Sequence, residues 1–99
     1  MKVVVTDAAL SDLIGIGRHI ARDNPNRAAT FVDELQEKCR QLVDIPEAFP
    51  LLAGREETGI RRRRHGNYLI FYRISPEAVE ILHVLNGAQD YSRVPFPDD

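Results

Sequence analysis

The stretch GIRRRRHGNYLIFYRI, residues 59–74, decides the fold. Its second half, Tyr68 to Ile74, alternates in period two. Tyr68, Ile70, Tyr72 and Ile74 share one face, and Leu69, Phe71 and Arg73 share the other. β-Branched and aromatic residues at this spacing specify a strand. Gly66-Asn67 supplies a tight turn before it, which makes residues 60–64 its antiparallel neighbour. Ser75-Pro76-Glu77 supplies the next turn, and residues 79–86 read as a third strand. The three form an antiparallel meander. Both faces of its middle strand are largely apolar, so one packs on helices and the other needs a cover. That surplus predicts a protein partner or a dimer.

Upstream, Lys2 to Val5 reads as a short strand, and Thr6-Asp7 offers a helix N-cap. Leu10, Leu13, Ile14, Gly17, Ile20 and Ala21 then fall on one helical stripe, which ends near Asp23. Asn24-Pro25 restarts a second helix with an N-cap and a proline in its first turn. Its apolar face carries Ala28, Phe31, Val32, Leu35, Cys39, Leu42 and Val43. The short connection implies an antiparallel hairpin, since only that brings both stripes to one core. Residues 45–58 form a proline-containing loop that crosses the molecule. The tail GAQDYSRVPFPDD, residues 87–99, reads as a short turn with a loose end. The expected architecture is α+β, one domain over residues 1–99: an N-terminal strand, a helical hairpin and a curved, mainly antiparallel sheet.

With 99 residues, 43% hydrophobic and 28% charged, the chain has the composition of a soluble globular domain of modest core. No apolar run approaches the roughly 18 residues of a membrane span, and the N-terminus lacks the pattern of a secretory signal. The single cysteine, Cys39, excludes an internal disulfide and suits a reducing cytoplasm. A net charge of −2 argues against general nucleic-acid binding. The basic character is local, gathered between residues 55 and 73.

Arg61, Arg62, Arg63 and Arg64 allow two compatible readings. Charges on an edge strand block edge-to-edge aggregation. Guanidinium groups also make bidentate contacts with carboxylates or phosphates, which suits a docking patch for an acidic partner. His19, His65 and His83 have no metal-ligand spacing, so no metal and no other cofactor is expected. Ser11, Ser75 and Ser92 lack a nucleophile's surroundings, and Cys39 sits on an apolar stripe. RNA cleavage needs a base, a cation and an acid, for which Glu56 or Glu57, Arg73, His83 and Tyr91 are the candidates.

The ordered set DLIGIGRHIARDNP, FVDELQEKCRQLVDIPEAFPLL, GIRRRRHGNYLIFYRI and EILHVLNGAQD resembles the ParE branch of the RelE/ParE toxins over residues 2–91. The resemblance implies a toxin of a type II toxin–antitoxin pair, neutralised by a ParD-like antitoxin whose C-terminal segment wraps it. Contact with DNA would come only through that antitoxin. ParE-type members poison DNA gyrase, whereas RelE-type members cut mRNA on the ribosome. The nuclease branch carries a catalytic arginine near the position of Leu69, and a histidine or tyrosine near Asn86-Gly87-Ala88. Many ParE-like chains read L-H-G-R-R-D where this one has Leu85 to Asp90. On this resemblance the chain is a non-enzymatic cytoplasmic toxin, in a hetero-oligomer with its antitoxin or as a toxin dimer. Arg61 to Arg64 and Arg73 would contact antitoxin or target, and Leu69, Phe71 and Ile81 would receive apolar side chains of the antitoxin. If the chain were a nuclease, Arg73, His83 and Tyr91 would carry the catalysis. Replacing all four arginines of the run with alanine is expected to spare the fold and weaken partner binding.

Overall fold

A computed structural model describes residues 1–96. Strand β1 (Lys2–Val5) leads through Thr6 into α1 (Asp7–Ala21). The Thr6 hydroxyl accepts from Ala9 N–H at 3.2 Å, meeting one of the helix's unpaired first-turn donors. Asn24 does the same for α2 (Pro25–Gln41), accepting from Arg27 N–H at 3.0 Å. Strands β2 (Ile60–His65), β3 (Tyr68–Ile74) and β4 (Ala78–Asn86) follow as an antiparallel meander. β1 joins as a parallel neighbour of β4, giving the order β1-β4-β3-β2. Gly66 takes a φ of 58° in the β2–β3 turn, a conformation glycine adopts without strain.

The helical hairpin covers one sheet face. Leu13 and Ile16 of α1, Phe31, Leu35 and Cys39 of α2, and Leu42 just past its end close on Ile70, Tyr72, Val79, Ile81 and Val84. The buried stripe of α1 is therefore Ala9, Leu13 and Ile16, not the one expected through Leu10 and Ile14. Those two side chains remain 48% and 49% exposed. Both stripes have helical spacing, and the sheet takes the one whose first member is the small Ala9. Gly17 keeps its expected place at the hairpin contact, where an added Cβ would lie 3.4 Å from Val32.

The second sheet face is not open. Leu52 of the crossing loop and Tyr91, Val94 and Phe96 of the tail pack over Ile60, Leu69, Phe71, Leu82 and Leu85. The tail is thus no loose end as far as Phe96, which is 4% exposed; residues 97–99 lie outside the described part. Phe96 sits 5.3 Å from the Phe71 ring and edge-on to His83, and Arg55 donates to Ser92 O at 3.0 Å. This corrects the expected uncovered face. Leu69 and Phe71, at 2% and 0% exposure, are core residues here.

Ile81 is corrected as well: it lies on the helix side, fully buried. The cause is a bulge. Phe71 pairs with His83 while Tyr72 pairs with Ile81, so Leu82 is an extra residue in β4. Strand parity inverts across it, sending Ile81 and Val84 to the helices and Leu82 and Leu85 to the tail.

Across the β2–β3 turn, Glu34 of α2 accepts from Arg27 and from His65 Nε2, the latter at 2.9 Å. These hydrogen bonds, Arg27's foremost, hold the Glu34 carboxyl down at about 2 against an ordinary 4.5. A depressed carboxyl adds stability above its unfolded value, and loses it as pH falls through the folded one. Wild-type stability in denaturant is therefore expected to decline between pH 4.5 and 2 more steeply than that of Glu34→Gln. For the tail, Phe96→Ala should cost about 3 kcal/mol in denaturant unfolding, since it opens a cavity over Phe71. Unchanged stability would mean that the tail does not hold the second core.

Candidate arginine surface

Strand parity divides the arginine run into two pairs with different work. Arg61 and Arg63 turn towards α2 and the crossing loop. Arg61 donates to Phe49 O at 2.7 Å. Arg63 donates to Lys38 O and to Gln41 Oε1, both at 3.1 Å, and its guanidinium lies 4.7 Å from the centre of the Phe49 ring. Arg63 therefore meets the carbonyl end of α2, where the helix dipole favours a cation. Tyr72 completes this buttress, donating its hydroxyl to Pro46 O at 2.7 Å. Cys39 lies nearby, and burial pushes its thiol up to about 11 despite Arg63, so it stays protonated and inert.

Arg62 and Arg64 turn to the opposite side. They line a hollow of about 410 Å³ with Phe49, Pro50 and Leu69. Arg64 also borders a second hollow with Asn67, Asn86, Gly87 and Ala88. Its guanidinium donates to Gly66 O at 3.4 Å. Among the described residues neither side chain has a carboxylate partner. Gly87 makes room for Arg64, since an added Cβ would stand 3.3 Å from its Nη2. The backbone edge of β2 is open only in part. Leu51 bridges to Arg61, and Arg62 N–H donates to Pro50 O, so the crossing loop shields the first half of the strand.

Arg73 does not join this surface. It stands at the far end of β3, opposite Ile60, and pairs with Glu80 at 3.5 Å. The candidate nuclease residues gather only loosely. His83 pairs with Phe71, Tyr91 packs 5.1 Å from the Phe71 ring, and Arg73 is two residues along the same strand. Phe96 packs against the rings of both His83 and Phe71, and His83 donates Nδ1–H to Asp12 Oδ2 at 2.8 Å. Glu56 and Glu57 lie exposed in a short 3-10 turn. His19 is exposed on α1. Among the described residues no group of histidine, cysteine and acidic side chains could hold a metal ion. No helix among them is long and apolar enough to cross a membrane.

Sequence reasoning missed Asp12 and Phe96. The first is a charged residue beside the buried Leu13, a faint signal that it must meet a partner. The second gave none, because one aromatic among prolines fits a loose tail equally well.

The division of the run revises the expected outcome of alanine replacement. Arg61→Ala with Arg63→Ala should lower stability by about 1–3 kcal/mol, because partly buried carbonyls lose their donors and Phe49 loses its stacked guanidinium. Arg62→Ala with Arg64→Ala should leave the thermal midpoint within a few degrees of wild type. Equal losses from both double variants would refute the division.

Comparison with known proteins agrees with this architecture. The family model described as the ParE toxin of the type II toxin–antitoxin system parDE matches residues 3–91. No match appears among curated proteins. Among solved structures, the fold is similar to the chromosomal ParDE toxin–antitoxin system of P. aeruginosa, with a TM-score of 0.74 and 20% identity. That alignment covers 87% of this chain and 95% of the other. It is similar also to the toxin–antitoxin complex RelBE2 of Mycobacterium tuberculosis, with a TM-score of 0.64 and 28% identity over 86% of this chain and 95% of that one. The helical hairpin on a four-stranded mixed sheet and the match over nearly the whole chain identify it as a member of the ParE toxin family of type II toxin–antitoxin systems.

Proposed function

We propose that this toxin acts by binding rather than by catalysis, that DNA gyrase is its target, and that a ParD-like antitoxin neutralises it in the cytoplasm. The observation that carries the binding reading is the pair Arg62 and Arg64. Among the described residues neither guanidinium group has a carboxylate partner, and both line a hollow beside Phe49 and Pro50. That combination suits an extended acidic segment with interspersed apolar side chains, the chemistry of an antitoxin tail. A charge-assisted contact there is worth about 1.5–3 kcal/mol when desolvated and far less at a wet rim. The structural relatives are named as toxin–antitoxin systems, which supports an antitoxin partner for this chain as well.

Non-catalytic action is supported by what stands at the positions a nuclease needs. Leu69 cannot stabilise phosphorane charge, and it is buried. Gly87 and Ala88 cannot transfer a proton. Phe96 packs against both His83 and Phe71, which leaves the His83 ring covered on that side. The gyrase assignment follows the ParE family match.

The test is purified gyrase in supercoiling and DNA-cleavage assays with added protein, with total RNA inspected after induction in cells. Stabilised gyrase–DNA breaks with intact mRNA are the expected result. Cut mRNA with untouched gyrase would replace this reading with ribosome-dependent cleavage, and Arg73→Ala should then abolish the cutting. In the same cells, a co-expressed antitoxin should protect against wild type. Its affinity for the Arg62→Ala, Arg64→Ala variant should fall at least about tenfold by calorimetry. Equal affinity would return these two arginines to a solvated edge.

A further inference from the structure

Among the described residues, none packs over the outer face of α1 at Leu10 and Ile14, which stay 48% and 49% exposed. Leu10 and Ile14 are its exposed large apolar side chains, one helical turn apart. Beside them run Ser11 and Gly15, both small, and an added Cβ at Gly15 would meet nothing within 4 Å. Asp7 begins this face and Arg18 ends it, and all six residues border one shallow hollow of about 480 Å³. Among the described residues, neither Asp7 nor Arg18 makes an ion pair.

The order of these residues is self-complementary. Laid antiparallel about a two-fold axis midway between Asp12 and Leu13, one α1 sets Asp7 against Arg18 of a second copy. Leu10 then falls against Gly15, and Ser11 against Ile14, each pairing repeated by symmetry. A two-fold interface requires this kind of arrangement, in which one patch is its own complement. The small residues permit close approach of the helix axes, with each leucine entering the notch left by a glycine. We infer that this face joins two copies of the chain through an antiparallel α1–α1 contact. Opposite charges at the two ends of an apolar stripe select the antiparallel pairing, because a parallel one sets like charges together.

The test is sedimentation equilibrium of the purified full chain over a wide concentration range. The expected result is a mass rising from the 11.2 kDa of one chain towards double that value. Asp7→Arg and Arg18→Asp should each weaken association at least about tenfold, since each sets like charges opposite one another twice. An equimolar mixture of the two variants should dimerise again, because each then presents the charges the other needs. Ile14→Glu, at an exposed position that leaves folding intact by circular dichroism, should also remain monomeric. A chain that stays at 11.2 kDa throughout overturns the inference, including the case where this face is protected only by an added foreign protein. A dimer indifferent to all three substitutions overturns it too, by placing the contact elsewhere.

Discussion

One carboxylate oxygen fixes the relation between the helices and the sheet. Asp12 Oδ2 accepts from His83 Nδ1–H at 2.8 Å and from Val84 N–H at 2.9 Å. Both donors sit just past the bulge in β4, where the ladder with β3 loses its register. A buried N–H left without a partner costs about 1–3 kcal/mol, so the bulge is tolerable only with an acceptor supplied from outside the sheet. The bulge in turn is what lets this short chain use both faces of its sheet. Unbroken period-two alternation would place His83 with Val79 and Ile81 under the helices, and Val84 with the tail. With one extra residue, Val84 joins the helix-side core and His83 comes to lie against Phe96. The position of α1, the content of both cores and the seat of the tail all follow from that inversion.

The arginine run shows how like charges are kept close without being cancelled. Arg61 and Arg63 meet carbonyl oxygens and an aromatic face, partners that carry partial charge only. Their positive charge survives while their geometry is fixed. A carboxylate in the same places would have neutralised the strand. Four guanidinium groups thus leave a local positive field on a chain whose net charge is −2. Such a field raises the rate at which acidic segments arrive, before any specific contact forms. The tied pair costs Arg62 and Arg64 nothing in freedom, since strand alternation sends them to the other side. Structure and attraction therefore coexist in four consecutive residues.

Strand ends and helix caps were legible because they rest on local chemistry. Thr6, Asn24-Pro25 and Gly66-Asn67 each set the backbone by themselves, and the elements begin and end where they imply. The two faces of β3 were legible for the same reason. What stayed hidden depended on distant partners. α1 carries two stripes of helical period, and nothing local says that Ala9, rather than Leu10, meets the sheet. The bulge needs Asp12, 71 residues before His83, and without it Ile81 reads onto the wrong face. The tail looked loose because the value of Phe96 depends on a cavity that only the finished sheet creates. In the arginine run, the charge was obvious while the split between support and surface required α2 and the crossing loop to be in place.

The second stripe of α1 bears on how many partners the molecule accommodates at once. Singly exposed leucines are ordinary on protein surfaces and call for no account. Two apolar side chains at helical spacing, bracketed by opposite charges that form no ion pair among the described residues, are less ordinary, because each element could be polar at no cost to the fold. α1 packs over β4, whereas Arg62 and Arg64 stand on β2 at the far edge, two strands away. Strands lie about 4.8 Å apart, so roughly 10 Å of sheet separates the two elements before side chains are counted. The tail closes the remaining sheet face and removes it from competition. A protein that spends both sheet faces on its own core keeps only edges and helix backs for others. The arginine edge and the back of α1 are the two that it leaves chemically distinct, one positive and one self-complementary.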